Sequence, residues 1–113
     1  MAGESARQLA PFLQDAVVPN AGTTPAAGTD LGGRLLVGVT IPAGLDGTSL
    51  GFAVAATLNG TYNTLMYGGA AVSITVAASR YVALDPGLFA GVRFVKPVLA
   101  TQTGDITLKL HSV

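Results

Sequence analysis

Apolar and polar residues alternate along most of this chain, and the alternation has a period of two residues. In the segment RLLVGVTI the residues on one face are Leu35, Val37, Val39 and Ile41. The same pattern recurs in SLGFAVAATL, AVSITVA, YVAL, VRFVK and DITLKLHS. A period of two is the pattern of a strand that turns one face toward a core. The pattern therefore predicts about seven or eight strands in residues 34–113.

Turn-forming residues separate these runs. They stand in PAGLDGT, at Asn59-Gly60, at Tyr67-Gly68-Gly69 and at Thr103-Gly104-Asp105. Asn59-Gly60 predicts a type I′ hairpin, because both central residues of that turn take positive φ. Short strands that are joined by turns at intervals of about ten residues are typical of antiparallel β-sandwiches and small barrels. We therefore expect an all-β domain over residues 34–113.

The segment DPGLFAG predicts a single helical turn between two strands. Asp85 suits the N-cap, Pro86 the first helical position and Gly91 the exit. We expect Phe89, together with Leu88, to lie over the open end of the core. Capping accounts for Asp85 without a catalytic role, so this corner is interpreted as structural.

Residues 1–33 lack the alternation and predict an N-terminal arm and linker. A short helix could extend from Glu4 to Val18, with Pro11 inside it and Pro19 at its end. The stretch PNAGTTPAAGTDLGG that follows has the composition of a linker. The alternatives are a frayed terminus and an arm that orders against a neighbouring molecule. The apolar residues that would anchor such an arm to a partner are Leu9, Phe12, Leu13, Val17 and Val18.

The low charge of the chain changes the expected behaviour of the domain. Charged residues make up 11% of the sequence and hydrophobic residues 50%, with a formal net charge of zero. Soluble proteins average about 25% charged residues. No apolar run reaches the ~18 residues of a membrane helix, and the start lacks the apolar core of a secretory signal. We therefore expect apolar surface that is covered by copies of the chain or by a protein partner, and not by a membrane.

The residue types that catalysis or metal binding requires are not grouped in the sequence. Cysteine is absent, which excludes disulfides and thiolate metal sites. His111 is the single histidine and falls on the outward side of the last predicted strand. The acidic residues are unpaired, and the basic residues form no stripe that would attract nucleic acid. The sequence therefore predicts a non-enzymatic protein with no catalytic residues, no metal ligands and no cofactor.

A carbohydrate-binding module is the alternative that the aromatic residues leave open. Such modules stack sugars on exposed aromatic rings, and this chain has no tryptophan. Tyr62 and Tyr67 could line a shallow sugar site. Packing between neighbouring strands or subunits is the competing interpretation of both residues.

Most of the chain resembles small virion structural proteins of tailed bacteriophages. The resemblance is carried by LLVGVTIPAGLDGTSLGFAVAATLNGTYNTLMY, by VSITVAASRYVALDPGLFAGVRFVK and by the closing ITLKL. It extends from Gly33 to Leu110, and its most distinctive part is the ALDPGLFAG corner with the RFVK that follows. The resemblance implies a jelly-roll-like β-sandwich that decorates the phage head at capsomer junctions, often as a trimer. It transfers no catalytic residues.

The resemblance and the low charge together predict a capsid decoration or cement protein that stabilises the phage head. Its partners would be the major capsid protein or other virion proteins, and copies of itself in a homo-oligomer, most simply a trimer. It would lie in the virion, and in the host cytoplasm during assembly. The alternative function is a carbohydrate-binding β-sandwich module of a phage tail or fibre.

Overall fold

Two antiparallel β-sheets face each other across one hydrophobic core in the computed structural model, which describes residues 11–113. The first sheet has the strand order β1-β11-β3-β9, and the second has the order β2-β10-β4-β5 with β8 also paired to β4. Strands β6 and β7 form a separate two-stranded hairpin. In chain order the strands are β1 (Phe12–Val18), β2 (Thr29–Asp30), β3 (Leu36–Ile41), β4 (Ser49–Ala55), β5 (Asn63–Thr64), β6 (Met66–Tyr67), β7 (Ala70–Ala71), β8 (Ile74–Thr75), β9 (Arg80–Ala83), β10 (Phe94–Val98) and β11 (Ile106–Ser112).

The expected fold class is confirmed, since the described residues form an all-β, antiparallel structure consistent with a β-sandwich. Several of the strands, such as β5 to β8, are only 2 residues long. The jelly-roll arrangement stays a prediction.

Alternating residues of both sheets fill the core. β11 contributes Ile106, Leu108 and Leu110, and β4 contributes Leu50 and Phe52. Burial of one such side chain stabilises the fold by about 1.5–3 kcal/mol. In these two strands the observed inward face is the one that the alternation predicts.

The predicted inward face of β3 is wrong at Leu35. Leu35 is 37% exposed, and Leu36 is buried instead. The pairing with β11 shifts between His111 and Ser112, where Val37 is the extra residue of β3. Such a bulge reverses which residues face the core on one side of it, because successive side chains of a strand alternate between its faces.

The turn after β4 is not the predicted type I′ turn. The N–H of Gly60 donates to the carbonyl oxygen of Thr57 at 3.1 Å, so Leu58 and Asn59 are the central residues. Neither Asn59 nor Gly60 has a positive φ. Glycine is instead favoured at the fourth position of a type I turn, and this is the place that Gly60 takes.

The described part of the predicted arm belongs to the sandwich. Strand β1 pairs with β11 along its whole length, and β2 pairs with β10. The helix predicted as far as Val18 is therefore wrong over residues 12–18. In a strand, the run FLQDAVV buries Ala16 and Val18 and gives β11 a partner, which a helix of these residues would not do. Within residues 11–113 the sandwich therefore begins before the expected boundary at residue 33.

The corner between β9 and β10 is one turn of 3-10 helix, Pro86–Phe89. The side chain of Asp85 caps it and accepts a hydrogen bond from the N–H of Gly87 at 3.0 Å. Gly91 follows with a φ of 81°, in the left-handed region that favours glycine. Phe89 is fully buried, and its ring meets the ring of Phe52 edge-on with the centroids 5.0 Å apart. The turn thereby closes one end of the core.

Candidate interaction surface

The side of the first sheet that points away from the core carries side chains from each of its four strands. We call this surface the β1 face. Its residues are Leu13, Asp15 and Val17 of β1, Thr107, Lys109 and His111 of β11, Thr40 of β3 and Tyr81 of β9. The strand register sets these residues in rows, because each of the four strands is paired with its neighbour at these positions.

Three residues of the β1 face are apolar or aromatic and about half exposed. The exposed fractions are 53% for Leu13, 46% for Val17 and 54% for Tyr81. A single exposed hydrophobic residue is ordinary, but several on one regular sheet face are typical of an interaction surface. Strand β1 also ends the strand order, so its outer edge has no strand partner among the described residues.

The charges of the β1 face are matched within the chain. Lys109 Nζ forms an ion pair with Asp15 Oδ1, and the two residues are direct neighbours across β1 and β11. Both side chains are about half exposed, so the pair contributes at most about 1 kcal/mol to stability. The pair adds no net charge to this face.

The hydroxyl end of Tyr81 lies over Gly38. A Cβ at position 38 would be 1.9 Å from the hydroxyl oxygen of Tyr81, so only glycine leaves room for the ring. The ring also meets the imidazole of His111 edge-on, with the centroids 5.0 Å apart. His111 is fixed in turn by a hydrogen bond of 2.7 Å between its Nε2 and Thr40 Oγ1. These contacts hold an exposed aromatic ring in one place on the sheet.

The five predicted anchors occupy different environments. Leu13 and Val17 lie on the β1 face, and Phe12 at the start of β1 is 49% exposed. Val18 is fully buried in the core of its own chain, so the prediction that it contacts a partner is wrong. Its place in the strand puts it on the inward face, one residue after Val17. Leu9 lies outside the described residues.

A second exposed apolar feature is the hairpin of β6 and β7. Gly68 and Gly69 join its strands with φ values of 64° and 83°, as a type I′ turn requires. Met66 and Tyr67 are 55% and 70% exposed. Tyr67 is therefore available to a partner at the end of a tight turn.

Tyr62, the other tyrosine considered for sugar binding, is engaged by its own chain. Its hydroxyl donates to the carbonyl oxygen of Leu58 at 2.8 Å, and Lys96 Nζ lies 4.5 Å from the centre of its ring. A Cβ at Gly28 would be 1.9 Å from its hydroxyl oxygen, so the ring covers that glycine. Burial raises the pKa of Tyr62. These contacts make Tyr62 a packing residue.

The acidic side chains of the loops accept hydrogen bonds that fix the backbone. Asp46 Oδ2 accepts from the N–H and the hydroxyl of Thr103 at 2.8 and 2.7 Å, and these bonds lower the pKa of Asp46. Asp105 Oδ1 accepts from the N–H of Asn20 at 2.9 Å. Gln102, which is almost fully buried, joins the same loops by bonding both the N–H and the carbonyl of Asp46. The sequence gives no signal for the burial of Gln102.

The alternation of residues along the chain does not identify Tyr81 as a surface residue. The sequence feature that could have indicated this position is Gly38, which lies in the middle of an otherwise apolar strand. Glycine inside a strand often marks a close approach by another group. Which residue makes that approach depends on the pairing of β3 with β9, and nothing local in the sequence specifies that pairing.

No group of three His, Asp or Glu side chains in the described residues lies close enough together to hold a metal ion. The one helical element in this part of the chain is the short turn at residues 86–89, and it is far from the length that spans a membrane. No family model, curated protein or solved structure matches the chain. The function is therefore argued from the residues themselves.

Proposed function

We propose that the chain is a non-enzymatic structural protein of a virion, a decoration or cement protein that stabilises the head of a tailed bacteriophage. The observation that carries the proposal is the β1 face, where Leu13, Val17 and Tyr81 are half exposed on one regular sheet. Charged residues make up only 11% of the chain, which also supports the proposal. A protein surface with so few charges is better suited to assembly than to exposure to solvent.

The β1 face joins copies of the chain into a closed oligomer, which we propose is a trimer. Its side chains are carried on paired strands, so little backbone entropy is lost when they meet a partner. Burial of the apolar area contributes about 25 cal/mol per Å² removed from water. A closed ring covers the face of every subunit, whereas an open arrangement would leave one copy exposed.

The hairpin of β6 and β7 contacts the shell. It carries Met66 and Tyr67 on strand β6, which belongs to neither large sheet, so it is separate from the β1 face. Each contact of this size is weak by itself. An oligomer that presents several hairpins to a repeating capsid surface gains affinity through effective concentration.

The test replaces Leu13 by Asp, which adds a charge to the proposed subunit contact. We expect the wild-type chain to elute as an oligomer and the Leu13→Asp chain as a folded monomer, by light scattering after size exclusion. Leu58→Asp is the matched control, because Leu58 is 44% exposed in the turn after β4 and is not part of the β1 face. A wild-type chain that is monomeric at every concentration contradicts the oligomer.

Capsid binding is tested separately, by co-sedimentation with heads of the phage that encodes the chain. Tyr67→Ser is expected to weaken binding to the heads and to leave the oligomer intact. The alternative function, a carbohydrate-binding module, is favoured by one observation, the 70% exposure of Tyr67. Binding to a glycan array that is lost in Tyr67→Ser, without binding to heads, would support that alternative.

A further inference from the structure

A cleft of about 490 Å³ lies where the Gly32-Gly33 turn faces the exit of the 3-10 helix. Arg34 and Arg93 both line it, and Phe89 and Gly91 contribute to its wall. The two arginines are far apart in the sequence. The hydrogen bond of 2.7 Å from the N–H of Leu31 to the carbonyl oxygen of Arg93 brings their chain segments together.

The guanidinium of Arg34 is held in place on two sides. Its Nε donates to Ser112 Oγ at 3.1 Å, and its central carbon lies 4.0 Å from the centre of the Phe12 ring. Arg34 Nη1 lies beside Gly32, which also lines the cleft, since a Cβ at Gly32 would be 3.2 Å from it. A guanidinium that is fixed before a ligand arrives loses little rotamer freedom when it binds.

Arg93 is oriented by Asp30. Its Nε and Nη2 donate to the two carboxylate oxygens of Asp30 at 3.1 and 3.3 Å. Asp30 also accepts from the N–H of Gly32 at 2.8 Å, so it ties Arg93 to the turn that forms the cleft. The bond from Arg93 is the largest cause that lowers the pKa of Asp30.

Each arginine keeps donors that no described residue uses. A guanidinium has five N–H donors. Arg34 uses Nε and, at 3.5 Å, Nη2 toward the carbonyl oxygen of Asp30, while Arg93 uses Nε and Nη2. The Nη1 group of each therefore bonds to none of residues 11–113. Two such groups, both on residues that line one cleft, can donate to a ligand with several anionic oxygens.

We propose that this cleft binds an oxyanion, a carboxylate or a phosphate group, between Arg34 and Arg93. The volume admits a small ion or a single side chain. The ligand is either a free anion or an acidic side chain of a neighbouring protein, and the chemistry of recognition is the same. The inference goes beyond the proposed function and does not depend on it.

The first experiment titrates the full chain with inorganic phosphate at constant ionic strength and follows the backbone amide signals by NMR. We expect saturable shifts at Gly32, Gly33 and Gly91. Arg34→Gln is expected to weaken binding at least tenfold, and Arg93→Gln likewise. Arg80→Gln is the matched control, because Arg80 bonds only to carbonyl oxygens of its own loop among the described residues and lines no part of the cleft.

Shifts that do not saturate, or that are the same in Arg34→Gln and Arg80→Gln, would overturn the inference. Arg34→Gln removes the hydrogen bond from Arg34 to Ser112, whereas Arg93→Gln leaves that bond in place. Weaker binding by Arg93→Gln is therefore not explained by the loss of that bond. A second titration, with a short peptide that contains glutamate, distinguishes a free anion from an acidic side chain as the ligand. Tighter binding of the peptide than of phosphate indicates a protein ligand, and the reverse indicates a free anion. The oligomer test on Leu13 is unaffected by either result.

Discussion

Two tyrosines of this protein cover glycines in the same way, but only one of them is hydrogen-bonded and partly covered by its own chain. A Cβ added at Gly28 or at Gly38 would be 1.9 Å from the hydroxyl oxygen of Tyr62 or Tyr81, respectively. Tyr62 is half-buried, and Lys96 lies against its ring. Tyr81 is 54% exposed on the β1 face. The same local arrangement therefore occurs once with a partly covered ring and once with a more exposed one.

The two tyrosines differ in the hydrogen bonding of their hydroxyl groups. Tyr62 donates to the carbonyl oxygen of Leu58, whereas no hydrogen bond joins the Tyr81 hydroxyl to another described residue. A buried hydroxyl without a partner is costly, but an exposed one bonds to water at no such cost. We infer that Tyr62 contributes mainly to the stability of the fold and that Tyr81 contributes mainly to assembly.

The largest expected difference in unfolding free energy is between Tyr62→Ala and Tyr81→Ala. Tyr62→Ala is expected to lower the free energy of unfolding by about 2 kcal/mol, less than for a fully buried aromatic residue. Tyr81→Ala is expected to lower it by less than about 1 kcal/mol and to reduce the oligomer mass. Urea unfolding followed by circular dichroism measures the first effect, and light scattering measures the second. Equal losses of stability in the two variants would contradict the comparison.

A smaller difference in unfolding free energy is expected between Gly28→Ala and Gly38→Ala. Gly28→Ala must displace a ring that is confined by its own chain, which costs about 1–2 kcal/mol of stability. Gly38→Ala displaces a ring that can turn into solvent, and alanine restricts the unfolded chain more than glycine does. We therefore expect little change in unfolding free energy but a loss of the Tyr81–His111 ring contact, seen as a missing NOE. Preservation of that NOE in Gly38→Ala would show that the sheet itself adjusts.

The smallest expected effect is that of removing each hydroxyl. Tyr62→Phe loses the bond to Leu58 and about 1 kcal/mol, and Tyr81→Phe loses almost nothing. Burial raises the pKa of Tyr62, so its contribution to stability is complete below about pH 10, where the unfolded tyrosine begins to ionise. That contribution is lost as the pH rises through the pKa of the folded state. Urea midpoints between pH 8 and pH 11 should fall less in Tyr62→Phe than in Tyr81→Phe.

Local residue patterns determined the fold class and several of its parts. The alternation in β4 and β11 identifies their buried faces, because the side-chain period of a strand is fixed by its backbone geometry. The corner at Asp85 is local as well, since its capping bond spans two residues and Pro86 and Gly91 restrict the backbone on either side. Such features need only residues that are close together in the chain.

Tertiary structure alone decided the rest. The run FLQDAVV became a strand because β11, about ninety residues further along, offered an edge to pair with and a core to enter. The bulge at Val37, the ring of Tyr81 over Gly38 and the meeting of Arg34 with Arg93 likewise depend on which strands lie side by side. A sequence fixes which conformations each segment can adopt. Contacts between distant segments then select one of them, because the free energy of burial and pairing exceeds the small differences in local propensity.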